Sequence, residues 1–255
     1  MSQSESQAAA YNRATYDRIW GQMSDYIRYN PGARHRRRHI FELLNRVPFN
    51  SLLDVGCGNG ELLRLIDARF PGKKLAGVDL SPAVVAQNEA ALPGMRFAAC
   101  NIENEAIPLE GGPVDVVVCS EVLEHLDHPD AALRTLQTAL KPGGHAIITC
   151  PSGKVFATER HFGHVRHPRP EDLHKLAQDA GFEVLTLWNW GFPTYALTKW
   201  ATNVNPEFAL KSFAGEKPYG LSQIAVSTAL WMANFANARR SPFGVQLFAL
   251  LKKRD

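Results

Sequence analysis

The feature that most constrains this chain is the segment Leu53-Asp54-Val55-Gly56-Cys57-Gly58-Asn59-Gly60, a short apolar run that breaks into a glycine-rich turn. Glycine lets the backbone turn sharply and lets a ligand approach it closely. The run at 51–55 reads as a strand, and an apolar-periodic helix at 62–70 follows, stopped by Pro71-Gly72. The same rhythm continues. Strands are expected at 75–78, 96–100, 114–119, 145–150 and 182–188. Helices are expected after Ser81-Pro82, where Ser takes the N-cap and Pro the first helical position, then at 131–140 and 171–180. Lys141-Pro142-Gly143-Gly144 reads as the stop of the helix before it. Alternation of this kind predicts an α/β fold, a parallel sheet covered by helices on both faces, with ligands at the carboxyl ends of the strands.

The loop itself limits the ligand. A dinucleotide fingerprint, G-x-G-x-x-G, would need a glycine at position 61, where the chain has Glu61. A carboxylate at a helix N-terminus repels the pyrophosphate that such a loop cradles, which argues against an oxidoreductase. Asp79 ends the second strand. An acidic residue there accepts hydrogen bonds from ribose hydroxyls. Asp54 and Asp79 together ask for a ribose and a cationic group.

Outside this core, 11–29 reads as a helix with Tyr16, Ile19, Trp20, Met23 and Ile27 on one face, broken by Asn30-Pro31-Gly32. A second helix follows, with Ile40, Phe41, Leu43 and Leu44 as its apolar side. Its start carries the run Arg34-His35-Arg36-Arg37-Arg38-His39, read either as a solvated face with snorkelling arginines or as a patch for a phosphate, a carboxylate or an acidic substrate. Residues 191–240 interrupt the alternation with helices near 194–203 and 221–237, and an apolar strand at 244–251 closes the chain. The expected organisation is a disordered leader (1–10), an N-terminal helical lid (11–46), a core (47–190 and 241–255), and a helical aromatic insertion (191–240) capping the acceptor pocket. A dimer contact or a membrane-surface contact are the other readings of that insertion.

The net charge of +3 is too mild to argue for nucleic acid. No apolar run is long enough for a membrane-spanning helix, and the polar N-terminus lacks the pattern of a signal peptide. Four cysteines without metal-finger spacing suggest reduced thiols and a cytoplasmic protein. A homodimer is compatible with the sequence.

Taken together, the segments LDVGCGNG, VDLSP, NIE, CSEVLEHL and LKPGG make the stretch 51–182 resemble the class I S-adenosylmethionine-dependent methyltransferases, in particular the group with the ubiquinone-biosynthesis O-methyltransferases. The resemblance implies a Rossmann-like, doubly wound, seven-stranded sheet, mostly parallel with the last strand antiparallel. S-adenosylmethionine would be the cofactor and S-adenosylhomocysteine the product. Gly56, Cys57 and Gly58, with Gly60, would pass the backbone around the methionine part, and Asp54 would support the loop and the amino group. Asp79 would hold the ribose, with Leu80 and Ile102 on the two faces of the adenine. Asn101, where the family usually has Asp, would contact the adenine amine. Ser120 and Glu121 would line the methionine end.

The E-x-x-E-H segment, Glu121 to His125, leaves three readings open. His125 acts as a general base, with His164 and Glu121 as further catalytic candidates. Alternatively, as the resemblance to ubiquinone and small-RNA 2′-O-methyltransferases implies, Glu121, Glu124, His125 and His164 ligate a divalent ion such as Mg. The third reading is structural. The loop 159–167 lies beyond the fifth strand and is expected to line the acceptor pocket. The leading expectation is methyl transfer by direct displacement to an oxygen of a small molecule, with much of the rate from alignment. RNA 2′-O-methylation, other chemistry on the same cofactor and non-catalytic cofactor binding are the alternatives.

Overall fold

The computed structural model describes residues 28–213 and 218–254. The helix expected at 11–29 and the leader therefore fall almost wholly outside the described residues. After helix α1 (Pro31–Leu44) the chain alternates: β1 (Ser51–Val55), α2 (Glu61–Arg69), β2 (Lys74–Asp79), α3 (Pro82–Ala91), β3 (Arg96–Ala99), β4 (Val114–Ser120) and α4 (Pro129–Ala139). It continues with β5 (Leu140–Pro151), α5 (Ala157–His161), α6 (Pro170–Asp179) and β6 (Phe182–Trp190). The helices α7 (Thr194–Thr202), α8 (Pro206–Phe213) and α9 (Leu221–Ala233) then precede β7 (Gln246–Lys253).

The seven strands form one sheet in the order β3-β2-β1-β4-β5-β7-β6. β7 runs antiparallel to β5 and β6, and the other pairs are parallel. This is the sheet the sequence predicts. Strand periodicity explains its two covered faces. Val117 and Cys119 turn toward a core shared with Leu133 and Leu136 of α4 and Leu173 of α6. Val116 and Val118 turn the other way, toward Ile40, Leu43 and Leu44 of α1 and Leu63 and Ile66 of α2. Central strands buried on both sides have no polar face, which is why their sequence reads as one apolar run.

Two boundaries differ from expectation. Asn30-Pro31-Gly32 does not merely break a helix: the Asn30 side chain accepts a hydrogen bond from the Ala33 N–H at 2.9 Å and starts α1 with Pro at its first position. Lys141-Pro142-Gly143-Gly144 does not stop a helix, because α4 ends at Ala139 and Leu140 already pairs with Val114 of β4. A register shift between Val114 and Val116 accommodates the irregular start of β5.

The basic run is divided by helix geometry. His35 and His39, one turn apart, are buried on the face that carries Ile40 and Leu43. The His35 ring donates through Nε2 to the Trp231 carbonyl at 2.9 Å and lies 4.9 Å from the Trp190 ring. Arg34 lies over the Trp231 ring and Arg38 over Phe235, so these arginines cover aromatics of the insertion. The solvated-face reading therefore fails for the two buried histidines, while Arg34 and the exposed Arg38 run their stems over apolar surface as snorkelling arginines do.

Burial pushes both imidazoles below their usual range. A charged His35 would also place a second N–H, on Nδ1, where the described residues offer it no acceptor. A depressed folded pKa means stability that is present above the unfolded value, near 6.5, and lost as pH falls below it. Each such histidine removes up to about 1.4 kcal/mol per pH unit. Unfolding measured between pH 7.5 and 5.5 is expected to show a smaller loss of stability in His35→Gln than in wild type. Equal losses would contradict this account of His35.

Candidate functional site

The carboxyl ends of β1, β2 and β4 converge on the glycine loop. The N–H groups of Gly56 and Cys57 both donate to the Val78 carbonyl, at 2.8 and 3.0 Å, so the loop is tied to β2. Asp79 completes the tie: one carboxylate oxygen accepts from the Gly58 N–H at 2.9 Å and the other from the Ser81 N–H at 3.0 Å. Asn88 of α3 donates to the Gly58 carbonyl at 2.6 Å, a support the sequence reading missed. Asp54 is buried behind the loop. Burial, and then the neighbouring Asp79 charge, push its carboxyl up to about 8.

Two cavities flank this loop. The smaller, about 100 Å³, is walled by Asp79, Leu80, Asn101 and Ile102. Asn101 already accepts the Glu103 N–H through Oδ1 at 3.1 Å, leaving that oxygen's second lone pair. The larger cavity, about 400 Å³, is walled by Asp54, Cys57, Ser120 and His164, by Arg36 and Arg37 of α1, and by Tyr195 and Lys199 of α7. Gly56, Glu121 and His125 belong to both walls, so the cavities meet there. Gly58 lines neither, its N–H being spent on Asp79. All four cysteines are buried and free.

The residues of the E-x-x-E-H segment separate. Glu121 has a positive φ of 61°, which turns it out of the strand direction at the end of β4. Its Oε1 accepts from Gln246 at 2.7 Å and from the Thr149 hydroxyl at 3.1 Å, and its Oε2 lies 3.4 Å from Arg36. Glu124 and His125 sit on a short 3-10 turn, Leu123–His125. Glu124 is 0% exposed, and neither of its carboxylate oxygens has a hydrogen-bond partner among the described residues. Burial and then the Glu121 charge push its carboxyl well up. Burial pushes His125 down to about 4, so it is neutral at pH 7.

Glu124, His125 and His164 bring one ligand atom each to within 4.8 Å of one another, and Glu121 is not of that group. The loop after β5 contributes more than His164. His164 Nδ1 lies 2.9 Å from His167 Nε2, and the Oε2 of Glu159 lies 3.8 Å from the same His167 nitrogen. Lys199 holds the other Glu159 oxygen at 2.5 Å. The sequence marks this loop as site-facing but does not single out Glu159, His167 or Lys199.

The description "Methyltransferase domain" matches residues 32–187, which hold β1 through β5 and nearly all of this site. The chain belongs to that methyltransferase family. Both the seven-stranded order and the family membership agree with the class I, S-adenosylmethionine-dependent fold that the sequence implies. Among relatives of this methyltransferase, the ubiquinone biosynthesis O-methyltransferase of Acinetobacter baylyi is 31% identical over 148 residues, 54% of this chain and 60% of that protein. The trans-aconitate 2-methyltransferase of Methylobacterium nodulans is 32% identical over 130 residues, 50% of this chain and 49% of that protein. The chain thus spans about half to three-fifths of these relatives. By fold, it is similar to the N-methyltransferase NodS from Bradyrhizobium japonicum, solved with S-adenosylhomocysteine. That likeness has a TM-score of 0.60 and 16% identity, over 96% of this chain and 99% of that one. Among the described residues no helix is long and apolar enough to cross a membrane.

Proposed function

We propose that this methyltransferase moves the sulfonium methyl of S-adenosylmethionine to an oxygen, a hydroxyl or a carboxylate, of a small molecule. The observation that carries this reading is the meeting of the two cavities at Gly56, Glu121 and His125. The adenosine half takes the smaller cavity. The Asp79 carboxylate, held in place by the Gly58 and Ser81 N–H groups, lines the smaller cavity and accepts from the ribose hydroxyls. The methionine half passes Gly56 into the larger cavity. There Asp54 meets the cationic amino group, which favours its charged form, and the guanidinium groups of Arg36 and Arg37 suit the carboxylate. The methyl then points into the junction.

The acceptor occupies the rest of the larger cavity, with the insertion (191–240) as its cap through Tyr195, Lys199 and Leu210. Glu121, clamped by Gln246, Thr149 and Arg36, presents a fixed carboxylate at the junction and accepts the hydrogen bond of an acceptor hydroxyl. The acceptor oxygen attacks the methyl carbon, the carbon–sulfur bond breaks, and sulfur keeps the electron pair as neutral S-adenosylhomocysteine. Alignment of acceptor and methyl in the cavity supplies much of the rate.

Glu124, His125 and His164 would hold a divalent ion, because a fully buried carboxylate with no hydrogen-bond donor among the described residues would be stabilised by a cation. Such an ion would lower the pKa of an acceptor hydroxyl. Without the ion, neutral His125 is the group that takes the acceptor's proton.

The test is incubation with methyl-labelled S-adenosylmethionine and a fractionated small-molecule extract. Label is expected on an oxygen of a low-mass product. Label found on nitrogen or carbon, or cofactor consumed without methyl transfer, would contradict the reading.

A further inference from the structure

The three helices of the insertion are patterned inside out. On α7, Thr198, Lys199 and Thr202 line the larger cavity together with Tyr195. Leu197, Trp200 and Ala201 fall on the opposite side of the helix, and Leu197 and Trp200 are 62% and 60% exposed. On α8, Ala209 and Leu210 line the cavity while Phe208 is 65% exposed. α9 has no charged residue from Leu221 to Ala233. Its Ser227 and Leu230 line the cavity, and Ala225, Val226, Ala229, Met232 and Ala233 make its exposed side.

A helix between a cavity and water ordinarily turns its polar side outward. Here apolar side chains face outward on all three. Single exposed apolar residues are ordinary, but a shared surface of them marks an interaction site. These backs belong together, because the helices are tied to one another. The Thr194 hydroxyl at the start of α7 donates to the Ala233 carbonyl at the end of α9, at 3.2 Å. Gln223 of α9 donates to the Ser212 carbonyl of α8 at 2.6 Å.

We propose that this outer surface docks on an anionic lipid bilayer, with α7, α8 and α9 lying in the plane of the headgroups. Charge separates a bilayer from a second copy of the chain. Residues 191–240 have five basic and two acidic residues, which is the whole of the chain's net charge of +3. Lys211 is exposed on the outer side of α8 near Phe208. Arg239 and Arg240 are exposed between Phe235 and Phe243, themselves exposed. Arg239 lies 3.6 Å from Glu42 and Arg240 over the Trp188 ring, and both cations still reach solvent. A second copy would set the same cations against these, whereas anionic headgroups complement them. Trp and Phe beside Lys and Arg are the side chains that settle at headgroup level. An interfacial helix also needs no spanning length. Docking uses the backs of the helices rather than the cavity walls, so it does not depend on which atom is methylated.

Flotation of the full-length protein with lipid vesicles tests this. Wild type is expected to float with vesicles of phosphatidylcholine and phosphatidylglycerol. It is expected to bind vesicles of phosphatidylcholine alone at least about tenfold more weakly, with most of that difference lost at high salt. Trp200→Ser combined with Met232→Ser removes apolar burial and is expected to weaken binding to both vesicles by at least about tenfold. Lys211→Gln combined with Arg239→Gln is expected to weaken binding to the anionic vesicles alone, by about tenfold or more.

Both double variants are expected to keep wild-type affinity for S-adenosylhomocysteine, which reports folding and the cofactor site independently of lipid. Should the first of them fail that control, Phe208→Ser replaces it with the same expected loss. Absence of wild type from the anionic vesicles would overturn the docking, as would flotation of Trp200→Ser combined with Met232→Ser equal to wild type. So would sedimentation of wild type as a dimer that those two substitutions make monomeric, which would assign the surface to a second copy. Vesicle binding by a protein that does not bind S-adenosylhomocysteine would uphold the docking and remove the methyl-transfer reading instead.

Discussion

Asp79→Ala is expected to weaken S-adenosylhomocysteine binding by at least about 100-fold. The carboxylate has two tasks. It anchors the Gly58 and Ser81 N–H groups that shape the loop, and it accepts from the ribose hydroxyls. Hydrogen bonds to a charged acceptor contribute about 1.5–3 kcal/mol each, and 1.4 kcal/mol is tenfold in affinity. Losing both ribose contacts therefore costs at least about two decades. Asp79→Asn keeps one acceptor oxygen in place and is expected to lose much less. Calorimetry of the two variants separates the contributions, with thermal unfolding as the control for a collapsed loop. Binding by Asp79→Ala within threefold of wild type would mean that the ribose sits elsewhere.

Gly56→Ala is the second large effect. Gly56 has a φ of +70°, where a side chain costs about 1–2 kcal/mol. A Cβ there would also fall 2.4 Å from Val122 Cγ2. Neither side yields easily: the loop is tied to β2, and Val122 lies between Glu121 and Glu124. The added methyl would push apart the two walls that meet at Gly56. At least a tenfold loss of S-adenosylhomocysteine affinity is expected. Val122→Ala removes the clashing methyls but not the backbone strain, so the double variant should recover part of the loss. A double variant no better than Gly56→Ala alone would show that the clash with Val122 is not the cause.

The sheet and its loop were legible because their signals are local. Val114–Ser120 is apolar enough to require burial on both faces, and Asp79 and Glu61 are placed by sequence spacing alone. Side-chain direction was not legible. Nothing local separates Glu121 from Glu124, yet one turns to Arg36 and Gln246 while the other is buried with no hydrogen-bond donor among the described residues. The difference comes from Gln246 on β7, 125 residues away in sequence. His35 and His39 looked like part of a solvated basic face, because the aromatics that bury them, among them Trp190 and Phe235, arrive from β6 and the insertion. His167 and Glu159 were hidden in the same way: their partners, His164 and Lys199, become neighbours only when the loop after β5 folds beneath α7. The start of β5 was misread because proline and glycine punctuate both helix ends and irregular strands.

The most direct measurement is calorimetric titration of the wild-type protein with S-adenosylhomocysteine and, separately, with NADH. The account predicts one S-adenosylhomocysteine per chain and no NADH, because Glu61 stands at the N-terminus of α2 where a pyrophosphate would sit. NADH binding in place of S-adenosylhomocysteine, or binding of neither, would contradict the assignment of the two cavities and the methyl transfer built on it.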